Sequence, residues 1–270
     1  MDRPTWVCGD IDLTKPSTAR VYDYYLGGSH NFAVDRRQAR QAIALWPELP
    51  KIMQANRAFL RRAVRFCVAR GVRQFLDIGS GIPTVGNVHE IAQRANPDCH
   101  VVYVDVDPIA VAHSRALLAE SGAARTATLQ ADLRKPEQIL DDPGVRELID
   151  FDEPVALLMV SALHFVSPND NPAALLAQYA DVLVPGSPLV ISHGTADGRP
   201  ERANAHEELY HRTGTPIWMR SAAEITGFFT GFEMVDPGLV YLSQWRPESP
   251  DEEWERPERL SGYAGLGIRN

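Results

Sequence analysis

Three acids and two glycines stand where apolar stretches of the sequence end, and their types are suited to binding a ligand. They are Asp77, Gly79, Gly81, Asp105 and Asp132. Carboxylates accept hydrogen bonds from hydroxyl and amino groups, and glycines allow the backbone to lie against a ligand. Acids at successive strand ends of an open α/β sheet meet at its carboxyl edge, where ligands bind. The pattern therefore predicts a site at such an edge.

The glycine spacing weighs against a dinucleotide as the ligand. A complete G-x-G-x-x-G motif would need a glycine where Thr84 stands, and Pro83 interrupts the spacing. An ordinary turn without a ligand is the alternative interpretation of Gly79 and Gly81 alone. Asp105 follows Gly81 by 105 − 81 = 24 residues, close to the spacing of about 20 typical of an acid that binds ribose. The acids thus strengthen the prediction of a ligand site.

The elements that must position these residues alternate between strands and helices. Five runs, too apolar to be half-solvated, predict buried strands over 74–79, 101–106, 125–131, 155–163 and 187–193. Helical segments separate or follow them at 86–94, 108–120, 137–148, 172–183, 201–212 and 221–229. This alternation predicts an α/β fold with a doubly wound, mainly parallel sheet.

The two ends of the chain differ from this middle part. Residues 1–70 are helical in character and predict a cap or lid, and 71–246 would form the ligand-binding domain. Within the latter, 231–245 predicts a hairpin whose antiparallel strand completes a seven-stranded sheet. The acidic, proline-broken residues 247–270 predict an exposed C-terminal tail. We count the whole as one domain.

Composition excludes several classes of protein. With 270 residues, of which 44% are hydrophobic, the chain can bury a full core. It carries 27 Lys and Arg against 35 Asp and Glu, a net charge of −8 that disfavours nucleic acids and anionic membranes as partners. No apolar run reaches the roughly 18 residues of a membrane span, and no signal peptide is recognisable, so we expect a cytoplasmic protein. Cys8, Cys67 and Cys99 form no C-x-x-C pair, so we expect apolar fillers and no metal site.

The three strand ends resemble the first motifs of class I S-adenosylmethionine-dependent methyltransferases. The segments that carry the resemblance are Asp77-Ile78-Gly79-Ser80-Gly81, Tyr103-Val104-Asp105 and Gln130-Ala131-Asp132-Leu133. Together with TKPSTARVYDYYLGGSHNFAVDR and QANRAFLRRAVRF, they resemble a bacterial S-adenosyl methyltransferase family of unassigned substrate. The resemblance implies a Rossmann-like methyltransferase fold with a reversed last strand and S-adenosyl-L-methionine (SAM) as cofactor.

The resemblance also implies roles at the first two strand ends. Gly79, Ser80 and Gly81 would lie against the amino-acid end of the cofactor, with Asp77 beneath them. Asp105 would accept hydrogen bonds from both ribose hydroxyls. Asp107 is an alternative for that role, but Pro108 places it already in the turn, so Asp105 is preferred.

The implied cofactor site continues along the sheet. Val106, which follows Asp105, is a further expected cofactor contact. Asp132 would accept from the adenine amino group, and the Leu133 N–H would face a ring nitrogen. Ser161, at the end of the fourth strand, is implied to lie beside the sulfonium.

The N-terminal segment supplies further candidates. Tyr22, Gly28 and Asn31 are expected to line the site from above, since a helical flap commonly closes over this cofactor. The alternative is a surface helix whose tyrosines face the sheet. Arg57 is expected to pair with the cofactor carboxylate.

His164 is the candidate catalytic residue. It follows the fourth strand, where an imidazole with a pKa near 6.5 could act as a general base. A packing role is the alternative, and His193 presents the same choice. We expect methyl transfer to an oxygen or nitrogen of a small molecule. The alternatives are a SAM-binding regulatory protein without turnover and, less favoured, an NAD(P)-dependent oxidoreductase. The oligomeric state is not predicted.

Overall fold

A computed structural model describes residues 14–82, 86–121 and 125–270. The features predicted at Cys8, Pro83 and Thr84 lie outside these residues. The described residues form an α/β fold around one mixed sheet of eight strands in the order β3-β2-β1-β4-β5-β8-β6, with β7 paired to β8. None of the helices in the described ranges has the length and hydropathy that a membrane crossing requires.

The strands are β1 (Gln74–Ile78), β2 (His100–Asp105), β3 (Thr126–Gln130), β4 (Val155–Val160), β5 (Pro188–Gly194), β6 (Phe232–Met234), β7 (Val240–Tyr241) and β8 (Gly262–Arg269). The helices are α1 (Thr18–Tyr25), α2 (Ala33–Leu45), α3 (Leu49–Ala69), α4 (Val88–Ala95), α5 (Pro108–Ser121), α6 (Pro136–Leu140), α7 (Pro143–Leu148), α8 (Pro172–Ala180), α9 (Pro200–Arg212) and α10 (Ala222–Gly227).

The parallel part of the sheet agrees with the predicted strands. β1 pairs in parallel with β2 and with β4, and every residue of β1 is buried, as expected for a strand covered on both faces. The strand order reverses direction between β1 and β4, which opens a crevice at the carboxyl edge. The five predicted parallel strands and the α/β fold class are confirmed.

The end of the sheet corrects two expectations. Residues 231–245 contain the two expected short strands, β6 and β7, but each pairs with β8 and not with the other as a hairpin, and residues 247–270 do not form an exposed tail. Instead β8 lies between β5 and β6 and is antiparallel to both. Its Gly267 is needed for close packing, because a Cβ there would lie 2.8 Å from the Cβ of Phe232. Glycine is depleted in strands, which explains why this stretch gave no strand pattern.

Residues 247–260, which precede β8, are held against the long helix α3. Arg62 is buried and donates to the backbone oxygens of Leu242 and Trp245 at 2.8 and 2.7 Å. Its guanidinium also pairs with Glu252 at 2.6 Å, and Arg65 pairs with Glu248. The acidic segment is therefore a strap over α3 and not a free tail.

Helices α1 to α3 form the expected cap over one face of the sheet. Val21 of α1, Phe59 of α3 and Trp46, which lies between α2 and α3, are buried in the same apolar core as Phe75 of β1 and Ala264 of β8. At the corner between α2 and α3, Glu48 accepts hydrogen bonds from Arg199, Arg202 and Arg259. The cap is thus joined to the rest of the chain by a shared core and by this ionic contact.

Candidate active site

A cavity of about 500 Å³ extends along the carboxyl edge of the sheet, beneath the cap. Most of the predicted site residues line it: Tyr22, Arg57, Asp77, Gly79, Ser80, Gly81, Asp105, Val106, Asp132, Leu133, Ser161 and His164. Gly28 and Asn31 are not among the lining residues. The structure therefore brings together side chains that lie far apart in the sequence.

The turn after β1 is fixed to its neighbours. Gly79 and Ser80 donate to the backbone oxygen of Val104 at 2.8 and 3.1 Å. Gly79 has a φ of +75° and lies against Ala162, so that an added Cβ would come within 2.7 Å of the Ala162 Cβ. Only glycine fits this position without displacing the turn. The turn presents its backbone to the cavity, as a bound cofactor would require.

Asp105 is the buried carboxylate at the centre of this edge. It accepts from the N–H of Gly81 at 2.7 Å and from that of Asp107 at 2.8 Å. Burial raises the pKa of Asp105 to about 6, although these two hydrogen bonds favour the charged form. Asp107 is not a lining residue, and its carboxylate accepts from the Ile109 N–H at the start of α5. The geometry thus favours Asp105 over Asp107 as a ligand contact.

Asp77 lies beneath the turn in a similar environment. Burial raises the pKa of Asp77 to about 7, the nearby Arg57 lowers it, and Asp105 adds a smaller repulsive effect. Arg57, on α3, donates to the backbone oxygen of Gly86 at 2.9 Å. A cationic group of a ligand would therefore find two poorly solvated carboxylates at this turn.

The third strand end is occupied by an internal ion pair. Both oxygens of Asp132 contact the Arg134 guanidinium, whose Nε lies 2.9 and 3.0 Å from them. This contact lowers the pKa of Asp132, so the carboxylate stays charged. Leu133 accepts a hydrogen bond from the Tyr179 hydroxyl at 2.8 Å through its backbone oxygen. A ligand amino group at Asp132 would have to share that carboxylate with Arg134.

A chain of hydrogen bonds joins the cap to the end of β4. Asn56 donates to the hydroxyl of Tyr22 at 2.9 Å and accepts from the Ser192 hydroxyl at 2.6 Å. Ser192 in turn accepts from the backbone N–H of Ser161 at 3.0 Å. Ser161 has a φ of +58°, a conformation that a residue other than glycine rarely adopts and that is typical of functional sites. The expected lining roles of Tyr22 and Ser161 agree with this placement. Ser192, which also lines the cavity, was not predicted, because a serine within an apolar strand is not a recognisable motif.

The turn that holds Gly28 and Asn31 is built around the buried Asp23. Asn31 donates to the Asp23 carboxylate at 2.7 Å and to the Gly28 backbone oxygen at 2.9 Å. Gly28 lies directly against the same carboxylate, which leaves no room for a side chain. The prediction that Gly28 and Asn31 line the site from above is therefore wrong, because they stabilise the connection between α1 and α2.

His164 lies at the cavity wall beside a second histidine and a buried arginine. Its Nδ1 accepts from the N–H of Gly194 at 3.4 Å. His193 donates through Nδ1 to the Gly194 oxygen at 2.7 Å and accepts through Nε2 from Arg220 at 2.9 Å. Burial, followed by the charges of His193 and Arg220, holds the pKa of His164 well below its ordinary value. His164 is therefore neutral at physiological pH.

The residues at this edge fit the cofactor that the sequence resemblance implies. The buried carboxylates can accept hydrogen bonds from hydroxyl and amino groups, and the glycine turn exposes its backbone to the cavity. Arg57 lies near Asp77, so a cation and an anion are available for a group that carries both charges. No group of three His, Cys, Asp or Glu side chains in the described ranges is arranged to hold a metal ion.

Comparisons with known proteins agree with this geometry. The model of the S-adenosyl methyltransferase family matches residues 4–270. A candidate methyltransferase from Thermobifida fusca is 42% identical, with a TM-score of 0.92 over 99% of this chain and 100% of that one. A DUF574 family protein from Streptomyces avermitilis is 38% identical, with a TM-score of 0.92 over 96% and 99% of the two chains.

A curated relative matches over a shorter stretch. Carboxy-S-adenosyl-L-methionine synthase of Geobacter metallireducens is 30% identical over 136 residues, which is 50% of each protein. The match spans only about half the length of that relative. The family match covers nearly the whole sequence and agrees with the fold and with the carboxylate edge. The chain therefore belongs to the S-adenosyl methyltransferase family and is a SAM-dependent methyltransferase.

Proposed function

We propose that the protein transfers the methyl group of SAM to an oxygen or nitrogen atom of a small molecule. The bound cofactor supplies a methyl group already activated on a sulfonium, so the protein mainly contributes orientation and exclusion of water. The observation that carries the proposal is the extent of the cavity lining. It includes the carboxylates at β1, β2 and β3, Ser161 and His164, and also residues at the end of β5 and the start of β8, which lie beyond those that the proposal assigns to the cofactor.

Within this proposal each lining residue has a role in holding the cofactor. Asp105 accepts from the ribose hydroxyls, and Asp132 and the Leu133 N–H bind the adenine. Asp77 and Arg57 face the amino-acid end, whose ammonium and carboxylate carry the opposite charges. The net charge of −8 favours a small acceptor over a nucleic acid, whose phosphates this surface repels.

A thermal-shift titration with S-adenosylhomocysteine (SAH) and, in parallel, NADH tests the cofactor. SAH is expected to add RT ln(1 + [L]/Kd) to the free energy of unfolding and so to raise the melting temperature, and NADH is expected to leave it unchanged. Absence of a shift with SAH would refute the proposed site. Binding of SAH without turnover of any acceptor would favour the regulatory alternative.

Replacing His164 by alanine is expected to lower turnover while the Kd for SAH stays within about threefold. His164 lines the cavity beyond Ser161, and it makes no hydrogen bond with the carboxylates at the other end. Steady-state kinetics and calorimetric titration of the same variant separate the two quantities. Unchanged turnover would assign His164 to packing.

Binding of SAH is expected to tighten as the pH rises from about 5.5 to about 8. Because burial raises the pKa of Asp77 to about 7 and of Asp105 to about 6, both carboxyls are protonated at the acidic end of this range and ionise across it. Ionised carboxylates accept from the ligand, so affinity rises by up to roughly tenfold per pH unit for each group below its pKa.

The stability of the ligand-free protein should change in the opposite direction. A carboxyl whose pKa is higher in the folded than in the unfolded chain favours folding while protonated, so this contribution is lost as the pH rises from about 4 to about 7. Calorimetric titration and urea unfolding at each pH check the two trends. Affinity independent of pH would show that neither carboxyl contacts the ligand.

A further inference from the structure

The charged residues that line the cavity are all near its cofactor side. We call this part the carboxylate end, and its charged side chains are Arg57, Asp77, Asp105, Asp132, Arg134 and Asp170. Asp77 lies in β1, Asp105 ends β2, and Asp132 follows β3. Arg57 lowers the pKa of Asp77, and Asp170 raises that of Arg134. Strands β1, β2 and β3 all lie on one side of β4 in the sheet order, and the other three charged residues interact electrostatically with this group.

In the opposite part of the cavity, the lining residues that belong to the described ranges are all uncharged. We call it the aromatic end, and its walls include Tyr25, Trp46, Leu49, Ile52, Tyr210 and Trp218. Tyr25 and Tyr210 hydrogen-bond each other at 2.9 Å, so their hydroxyls are already engaged. Burial lowers the pKa of His206, whose ring lies 5.7 Å from that of Trp46, to about 4. A molecule held here faces aromatic and aliphatic groups and a neutral histidine.

A cation lies next to His193, whose ring neighbours that of the cavity-lining His164. Arg220 is 5% exposed and donates to the backbone oxygens of Leu163 and Val166 at 3.0 and 2.7 Å and to Nε2 of His193. Among the described residues it forms no ion pair with a carboxylate. Glu207 and Glu224 raise the pKa of Arg220 electrostatically, without forming an ion pair with it. Because an arginine remains protonated, Arg220 contributes a positive potential at His193 and His164, which lowers the pKa of both rings.

The tautomer of His164 follows from its hydrogen bond. Since Nδ1 accepts from the Gly194 N–H, the proton of the neutral ring is on Nε2. Within the described ranges Nε2 has no hydrogen-bond partner, and His164 lines the cavity. His164 therefore offers an N–H donor to a bound molecule, and its ring centroid lies 5.5 Å from that of His193.

We propose that the methyl acceptor is an aromatic molecule with an acidic hydroxyl, a phenol or an enol, which occupies the aromatic end and reacts as its oxyanion. This inference rests on the proposed function. The hydroxyl gives its proton to solvent, and the resulting oxyanion accepts from His164 Nε2–H in the field of Arg220. The oxyanion oxygen forms a bond to the methyl carbon while the carbon–sulfur bond breaks, and that electron pair remains on the sulfur. The products, a methyl ether and SAH, need no further proton transfer.

This assignment agrees with the weak basicity of His164 and His193, whose pKa values are both lowered. His193 uses both ring nitrogens in hydrogen bonds, and burial, opposed by the Gly194 hydrogen bond and reinforced by Arg220, lowers the pKa of His193 to about 3. An amine acceptor would leave a proton to be removed, with only weakly basic imidazoles beside it. An acceptor already ionised avoids this step.

The ionisation of a bound phenol tests the proposal without turnover. The protein is saturated with SAH, 4-nitrophenol is added, and its absorbance is followed from about pH 5 to about pH 9. The pKa of the bound phenol is expected to lie at least about one unit below that in solution, a tenfold gain in the oxyanion. A pKa equal to the solution value, or no binding of the phenol, overturns the inference.

Variants of His164 distinguish a role as hydrogen-bond donor to the oxyanion from a role in packing alone. His164→Phe is expected to bring the pKa of bound 4-nitrophenol back toward the solution value, whereas His164→Gln, which keeps an N–H donor, should preserve most of the shift. His100→Phe, at the opposite edge of the sheet, is the control and should behave as the unaltered protein. Equal pKa values in all three variants would show that His164 makes no contact with the oxyanion.

A panel of acceptors gives the second readout. Phenols, anilines, benzylamines and aliphatic alcohols are each incubated with SAM, and SAH release is measured. Turnover is expected with phenols alone, with methyl ethers as products. Methylation of amines but not of phenols would refute this inference and leave the proposed function standing. Failure of SAH itself to bind would instead refute the proposed function.

Discussion

Replacing Asp105 by alanine is expected to weaken the binding of SAH at least about 100-fold. Each hydrogen bond from a ribose hydroxyl to a charged carboxylate contributes about 1.5–3 kcal/mol, and two of them are lost together. The substitution also frees the backbone N–H groups of Gly81 and Asp107, which now donate to this carboxylate. The glycine turn would therefore lose an anchor as well as the ligand contact.

The control for Asp105→Ala is Asp107→Asn, since an asparagine oxygen can still accept from the Ile109 N–H that Asp107 now binds. Calorimetric titration of this variant should give a Kd for SAH within about threefold of the unaltered protein. Retained affinity in Asp105→Ala, together with a loss in Asp107→Asn, would transfer the ribose contact to Asp107. Urea unfolding of both variants shows whether any loss of affinity comes from an unfolded chain.

Replacing Gly79 by alanine is expected to lower the free energy of unfolding by about 2–4 kcal/mol and to weaken SAH binding at least about tenfold. An alanine at positive φ costs about 1–2 kcal/mol, and overlap with Ala162 adds to this. The turn cannot move away freely, because the N–H groups of Gly79 and Ser80 both donate to the backbone oxygen of Val104. The added methyl group therefore displaces the backbone that faces the cofactor.

Gly71 offers a matched control for this substitution. It has a φ of +87° after α3, and a Cβ there would meet no atom within 4 Å. Gly71→Ala should therefore show only the backbone cost of about 1–2 kcal/mol, with normal affinity for SAH. Equal losses in the two variants would mean that the contact with Ala162 adds nothing.

The parallel strands and the acids at their ends could be predicted from the sequence because both depend on local pattern. A buried parallel strand must be apolar throughout, and Asp77, Asp105 and Asp132 follow such runs directly. Their meeting at one edge is a consequence of parallel pairing, which the alternation of strands and helices implies. These parts of the fold and site needed no knowledge of distant contacts.

Other parts depend on contacts between distant segments, which no local pattern reveals. The strand β8 contains glycines because Phe229, Phe232 and Met234 pack closely over it. Asn31 was expected to contact the ligand, but in the fold its amide donates to the carboxylate of the buried Asp23. The buried position of Arg220 was not predicted. Its guanidinium donates to the backbone oxygens of Leu163 and Val166, which lie more than fifty positions earlier in the chain, and no local pattern indicates such a contact.

The position of β8 between β5 and β6 has a consequence for the order in which the fold can form on the ribosome. Both neighbours are synthesised before β8, yet among the described strands β6 pairs only with β8. Until residues 262–269 emerge, β5 has an unpaired edge, and such edges favour pairing with other chains. Closure of this long-range pairing is intrinsically slow. A stop codon ahead of β8 would therefore leave a nascent protein prone to aggregation, even though the carboxylate residues had all been translated.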